Sequence, residues 1–159
     1  MELMSVYSKE QYKFVKESRS VLFEYCQTVS PEDFVNQNNS FGRGGSIRNL
    51  LVHIANTYEY WIANIVLKKK VSYSEYENFN TIQNVIRLFD DVDTFMSEFI
   101  LTMDQFENEI TYETQNSISS AKPFRLFSHA ITHEYHHKGQ ILSLSRHLGY
   151  IPVDTDIMR

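Results

Sequence analysis

Residues 81–106 read TIQNVIRLFDDVDTFMSEFILTMDQF. Ile82, Val85, Phe89, Val92, Met96, Phe99, Met103 and Phe106 follow one another at alternating steps of three and four. An α-helix turns once in 3.6 residues, so this rhythm gathers the apolar side chains into one narrow seam. Such a seam packs against near-parallel helices. The stretch predicts a long helix within a helical bundle.

Three more segments carry helical periodicity. Residues 8–29 place Phe14, Val15, Val21, Leu22, Tyr25, Cys26 and Val29 mostly three or four apart. Ser30-Pro31-Glu32-Asp33 then reads as an N-cap with proline at the first helical position, opening a short helix or turn. Residues 47–67 form a second long helix with a stripe of Ile47, Leu50, Leu51, Ile54, Tyr58, Trp61, Ile62 and Ile65. Ser46 is its N-cap, and Lys68-Lys69-Lys70 at its end complement the helix dipole. A fourth helix spans residues 123–148, from an N1 proline to Gly149 at the C′ position and Pro152 beyond.

The segments between them read as connections. The glycine-rich NQNNSFGRGGS, residues 36–46, follows no strand and matches no phosphate-binding pattern, so it is a plain connector. Residues 68–80 form a polar loop. Residues 108–120 are polar, with Ile110 and Tyr112 alternating in a short extended piece before a serine-rich loop. Four amphipathic helices and no convincing sheet give an all-α four-helix bundle.

Composition narrows the function. The 159 residues suit one domain with its own core. Fifteen Lys and Arg against 20 Asp and Glu give a net charge of −5, a poor surface for nucleic acid. There is no long apolar run and no signal-peptide pattern, so the expectation is a soluble, cytoplasmic protein with no membrane partner. The single cysteine, Cys26, excludes an internal disulfide and a CxxC zinc site.

The chain has six histidines, and HEYHHKGQ, residues 133–140, holds three of them with a glutamate. With about 100° per residue and His129 at zero, the apolar face of the fourth helix centres near ~130°. His133 then falls near ~40°, His137 near ~80°, and His136 near ~−20°. His133 and His137 therefore turn furthest inward, one above the other at i, i+4, where two imidazoles can share a metal ion. His53, on the flank of the second helix, is the one histidine outside the fourth. Three neutral histidines make an open metal site of the catalytic kind. His129, His136 and His147 read as surface residues or supports.

His133-Glu134-Tyr135-His136-His137 also matches the HExxH pattern of zinc proteases. The extended form needs glycine three residues later and histidine three beyond that, where this chain has Gln140 and Ser143. No glutamate follows Glu134 to serve as a third ligand. Glu134 falls near ~140°, inside the apolar face. There it either pairs, with Lys138 one turn on, or acts as a catalytic base. Gly139 suits a close helix approach or an open pocket.

SIRNLLVHIANTYEYWI and SHAITHEYHHKGQILSLSRHLGYIP resemble the second and fourth helices of the DinB (damage-inducible), YfiT-like proteins. The resemblance covers the HxxxH-[RK]-GQ pattern and the following GxxP, with Lys138 where arginine is frequent. It implies an up-down-down-up four-helix bundle and one divalent metal, zinc, nickel or iron, on His53, His133 and His137. It also implies a small-molecule substrate and, as a family-level expectation, a homodimer. Its leading functional implication is a metal-dependent transferase of a low-molecular-weight thiol such as bacillithiol. Tyr58 and Trp61, one and two turns beyond His53, read first as core residues and second as a wall of the substrate pocket. A metal-dependent hydrolase activating water, and a non-enzymatic stress-response metal-binding bundle, are the alternatives.

Overall fold

The computed structural model describes residues 3–37 and 45–159. Most of residues 36–46, read above as a connector, lies outside them. Five α-helices and one small sheet follow in chain order: α1 (Leu3–Cys26), α2 (Pro31–Val35), α3 (Ile47–Tyr58), α4 (Ile82–Thr102), β1 (Ile110–Thr114), β2 (Ser117–Ala121) and α5 (Pro123–His147). The protein is mostly helical, and no helix among the described residues is long and apolar enough to cross a membrane.

The helix ends obey their sequence signals. Ser30 and Ser46 accept hydrogen bonds from Asp33 N and Asn49 N, each satisfying a free N–H of the first turn. Pro31 and Pro123 both sit at helix starts. At the end of α5, Gly149 takes φ +95, and Tyr150 N reaches back to Ser145 O at 3.0 Å. That left-handed turn is where glycine is needed.

The seam of α4 is buried as its rhythm requires. Val85, Val92, Met96 and Phe99 are fully buried, with Ile82, Phe89 and Met103 nearly so and Phe106 packed at the edge. α4 packs on α1 and α3, and α5 packs on the same two helices from the other side. α3 is the most enclosed element, with Leu50, Leu51, Ile54, Ala55 and Tyr58 all buried. Cys26, at the end of α1, is 2% exposed, and burial pushes its thiol up to about 12.

Three features depart from the sequence reading. α1 begins at Leu3 and ends at Cys26; of the expected apolar residues it buries Val15, Leu22 and Cys26, leaves Phe14, Val21 and Tyr25 half-buried, and buries Tyr12 and Arg19 in addition. Residues 108–120 form a paired hairpin rather than one extended piece and a loop, with Ile110 opposite Ala121 and Thr114 opposite Ser117. Tyr112 of this hairpin packs edge-on against Trp61 at 5.0 Å between ring centroids. The third departure is in the second helix, which changes to π geometry over Glu59–Val66 and stops there. Lys68 and Lys70 adopt positive φ, and Lys69 pairs with Glu98 at 2.7 Å, so the lysine run turns the chain away from the helix instead of capping it.

Two asparagines fasten the following loop. Asn56 exchanges two hydrogen bonds with the Ser74 backbone, at 3.0 and 2.8 Å, and Asn64 does the same with Val71, at 2.9 and 2.6 Å. Beneath this loop lies Glu59, 3% exposed, with Oε1 accepting from Ser74 Oγ at 3.3 Å and Oε2 without a hydrogen-bond partner. Burial, reinforced by the nearby Asp91 charge, pushes its carboxyl up to about 7.

The folded chain therefore holds the Glu59 proton up to about pH 7, whereas the unfolded chain releases it near 4.5. Stability falls as pH rises across that interval, and the loss is complete above it. Glu59→Gln should thus stabilise the protein by roughly 1–3 kcal/mol at pH 8 and by little at pH 4. Urea midpoints at the two pH values check this, and equal shifts at both would refute it.

Candidate metal centre

α3 and α5 lie side by side, and each brings histidine to their shared face. His53 comes from the second turn of α3, and His133 and His137 come from successive turns of α5. The ligand atoms of all three lie within 4.8 Å of one another, a group that can hold a metal ion. His53 and His133 ring centroids are 4.9 Å apart, His53 and His137 4.7 Å, and His133 and His137 4.3 Å. His137 is buried and the other two are half-buried. Helical phase singles out His133 and His137 of this trio, and His53 is the candidate from the flank of the second helix.

The trio fits a metal in its spacing, and His133 fits it in its protonation as well. Burial lowers the His133 pKa to about 3, with His137 and His53 as the nearest charge contributors. Neutral imidazole is the form that ligates metal. His133 Nε2 stands 3.0 Å from His137 Nε2, while His133 Nδ1 is buried without a hydrogen-bond partner. Two imidazole nitrogens this close need a proton or a cation between them. Nitrogens about 2.0–2.1 Å from zinc lie roughly 3.3 Å apart at a tetrahedral angle, close to the spacing present. Three imidazoles suit zinc, nickel and iron alike.

Around the trio, Thr57 Oγ1 donates to His53 O at 3.0 Å and lies 3.4 Å from His133 Nε2. His129, His136 and His147 are exposed. His129 packs edge-on with Trp61 at 5.3 Å, which places Trp61 beside the histidine face. Tyr58 is different: it is fully buried and its hydroxyl points to Glu134. Gly139 is exposed, and a Cβ built there meets nothing within 4 Å, so neither close packing nor a pocket explains it.

Glu134 turns into the core, away from the role of a free base. Arg19 grips it with a fork, Nε to Oε1 at 2.9 Å and a terminal nitrogen to Oε2 at 2.8 Å. Tyr58 donates to Oε2 at 2.6 Å, and Lys138 Nζ lies 3.1 Å from Oε1. Arg19 also reaches Asp93 at 2.7 Å, and Tyr12 donates to Asp93 at 2.6 Å. Glu134, Arg19 and Lys138 are buried, and the part-exposed Asp93 completes a set of two cations and two carboxylates. Burial alone would raise the Glu134 pKa, but Arg19 and then Lys138 outweigh it and hold the carboxyl down at about 2. Lys138 was legible as a partner from its i+4 spacing. Arg19 was not, because a single arginine in a helix stripe carries no mark of a partner 115 positions away.

Removing one member of a buried charge set leaves the others uncompensated. Glu134→Gln should cost about 3–5 kcal/mol of stability while leaving the histidine trio in place. The wild-type carboxylate contributes its full stabilisation above its ordinary pKa of 4.5 and loses it as pH falls toward about 2. Urea unfolding at pH 7 and pH 3 should therefore show a variant deficit that shrinks with acid. An undiminished deficit at pH 3 would contradict the assigned ionisation.

Two comparisons relate the chain to known proteins. The chain is similar to the uncharacterized protein YizA of Bacillus subtilis (strain 168), at 24% identity over 146 residues, which cover 88% of this chain and 87% of that protein. Residues 4–159 match the model of the DinB family, and the chain belongs to that family.

Proposed function

We propose that His53, His133 and His137 hold one divalent metal ion, and that the protein is a metal-dependent enzyme transferring a low-molecular-weight thiol of the bacillithiol type to a small electrophile. One observation carries this reading: three imidazoles converge while the neighbouring carboxylate, Glu134, is fully engaged elsewhere. A bound metal supplies a positive centre that stabilises a thiolate, the reactive form of a thiol. Thiol transfer then needs no carboxylate base. The thiol gives its proton to solvent and its sulfur displaces the leaving group of the electrophile.

The chain's own residues arrange the rest. Trp61, half-buried beside His129, offers an aromatic wall for the electrophile. Thr57, its hydroxyl proton committed to His53 O, presents an oxygen lone pair beside His133. The wider frame we propose is a single DinB-type domain in which α1, α3, α4 and α5 form an up-down-down-up bundle. The neighbour relations α1–α4, α4–α3, α3–α5 and α5–α1 support it.

Purified protein should carry close to one divalent metal per chain. His53→Ala, His133→Ala and His137→Ala should each lose most of it, and His129→Ala and His147→Ala should keep it. Elemental analysis of the five variants decides this, and full retention in His53→Ala would remove α3 from the site.

Because the core is closed by apolar side chains from every long helix, chelation should leave the helical circular dichroism intact and lower only the unfolding temperature. Collapse of helicity would make the metal structural. Metal-loaded protein should conjugate bacillithiol to monochlorobimane, and chelated protein should not. Ester cleavage without thiol would put a hydrolase in its place, and inertness in both assays would favour a non-enzymatic role.

A further inference from the structure

Gln140 belongs to the sequence pattern around the histidines, yet the trio itself gives it no task. It stands three residues after His137 and four after His136, so its carboxamide reaches both rings from one face of α5. Gln140 Oε1 lies 2.7 Å from His137 Nδ1. Gln140 Nε2 lies 3.3 Å from His136 Nε2. A carboxamide oxygen only accepts, so the ring nitrogen facing it carries a proton. A neutral imidazole with Nδ1–H has its lone pair on Nε2. In His137 that lone pair is the one aimed at His133.

We propose that Gln140 is a positioning residue for the three-histidine site. Its oxygen holds His137 in the Nδ1–H form, and its amide group, anchored on His136, keeps the oxygen on the His137 side. The proposal builds on the metal reading above but concerns a property of the metal-free protein as well. His136 thereby gains a use: without its acceptor nitrogen the carboxamide can rotate by half a turn and offer an N–H to His137. That would move the His137 proton to Nε2 and block one of the three donors. His133 has no such support, since its Nδ1 is buried without a hydrogen-bond partner. His137 is thus the fixed donor of the pair and His133 the adjustable one.

The test uses full-length, 15N-labelled, metal-free protein at pH 8 and reads the histidine tautomers from long-range proton–nitrogen correlations. Wild type should show His137 as Nδ1–H alone. Gln140→Leu removes the acceptor and should give a mixture of tautomers. Competition with a chromophoric chelator should show it binding zinc about 10–100-fold more weakly, the usual cost of losing a support of this kind. Gln140→Glu restores an acceptor and should keep the tautomer and bind zinc within a few-fold of wild type.

Gln140 is only half-buried, so neither change empties the core, and circular dichroism confirms the fold. A wild-type His137 protonated at Nε2 would overturn the proposal. So would a folded Gln140→Leu protein with unchanged tautomer and affinity. Protein that binds no zinc but shows the expected tautomers would refute the metal reading while leaving the role of Gln140 intact.

Discussion

The fork from Arg19 to Glu134 is the interaction on which the arrangement depends. It joins α1 to α5 through two parallel, charge-assisted hydrogen bonds, a geometry that arginine alone among the cations can make. Tyr58 adds α3 to the same carboxylate, and Asp93 adds α4 through the far side of the guanidinium. All four long helices thus meet at one charged point inside an apolar core. Phe89 lies under the guanidinium at 4.5 Å from its ring centre, so the cation is covered as well as paired.

That point also sets the rotation of α5. Glu134 and Lys138 face the arginine, with Lys138 continuing to Ser18 Oγ at 3.0 Å, and Ser18 in turn holding the Thr155 carbonyl of the C-terminal segment at 2.6 Å. Each one position before one of these two, Glu134 and Lys138, His133 and His137 must then face α3. The HExxH arrangement resembles that of a protease only in letters. In three dimensions its glutamate and its outer histidines serve two different faces. The charged face is a fixed network with every ionised group compensated, which buried charges require. The histidine face gathers three ring nitrogens that can serve a ligand.

Much of this was legible in the sequence because it rests on periodicity. The seam of α4, the caps at Ser30, Ser46 and Gly149, and the inward phase of His133 and His137 all follow from one chain's local geometry. His53 was legible through its place on the flank of a stripe. What escaped was non-local. Arg19 looks like any exposed arginine until Glu134 is opposite it. The π segment at Glu59–Val66 has no residue signature of its own, and its purpose in the fold shows only through Asn56 and Asn64, which fasten residues 71 and 74. The hairpin at Ile110–Ala121 was half seen, because serines pair as readily as they loop once a partner strand such as β1 is present. Gln140 was in the pattern, but its contacts needed the rotamers of two histidines.

Cys26 carries a consequence for the chemistry. Its thiol is closed off from solvent and holds its proton across the physiological range. The chain therefore brings no nucleophilic sulfur of its own to any reaction at the histidine face. Under the proposed thiol transfer, both the sulfur and the electrophile would have to come from outside the chain, making two substrates. Such a reaction would leave the polypeptide unmodified, with no covalent intermediate to be trapped on cysteine and no resolving thiol to be regenerated.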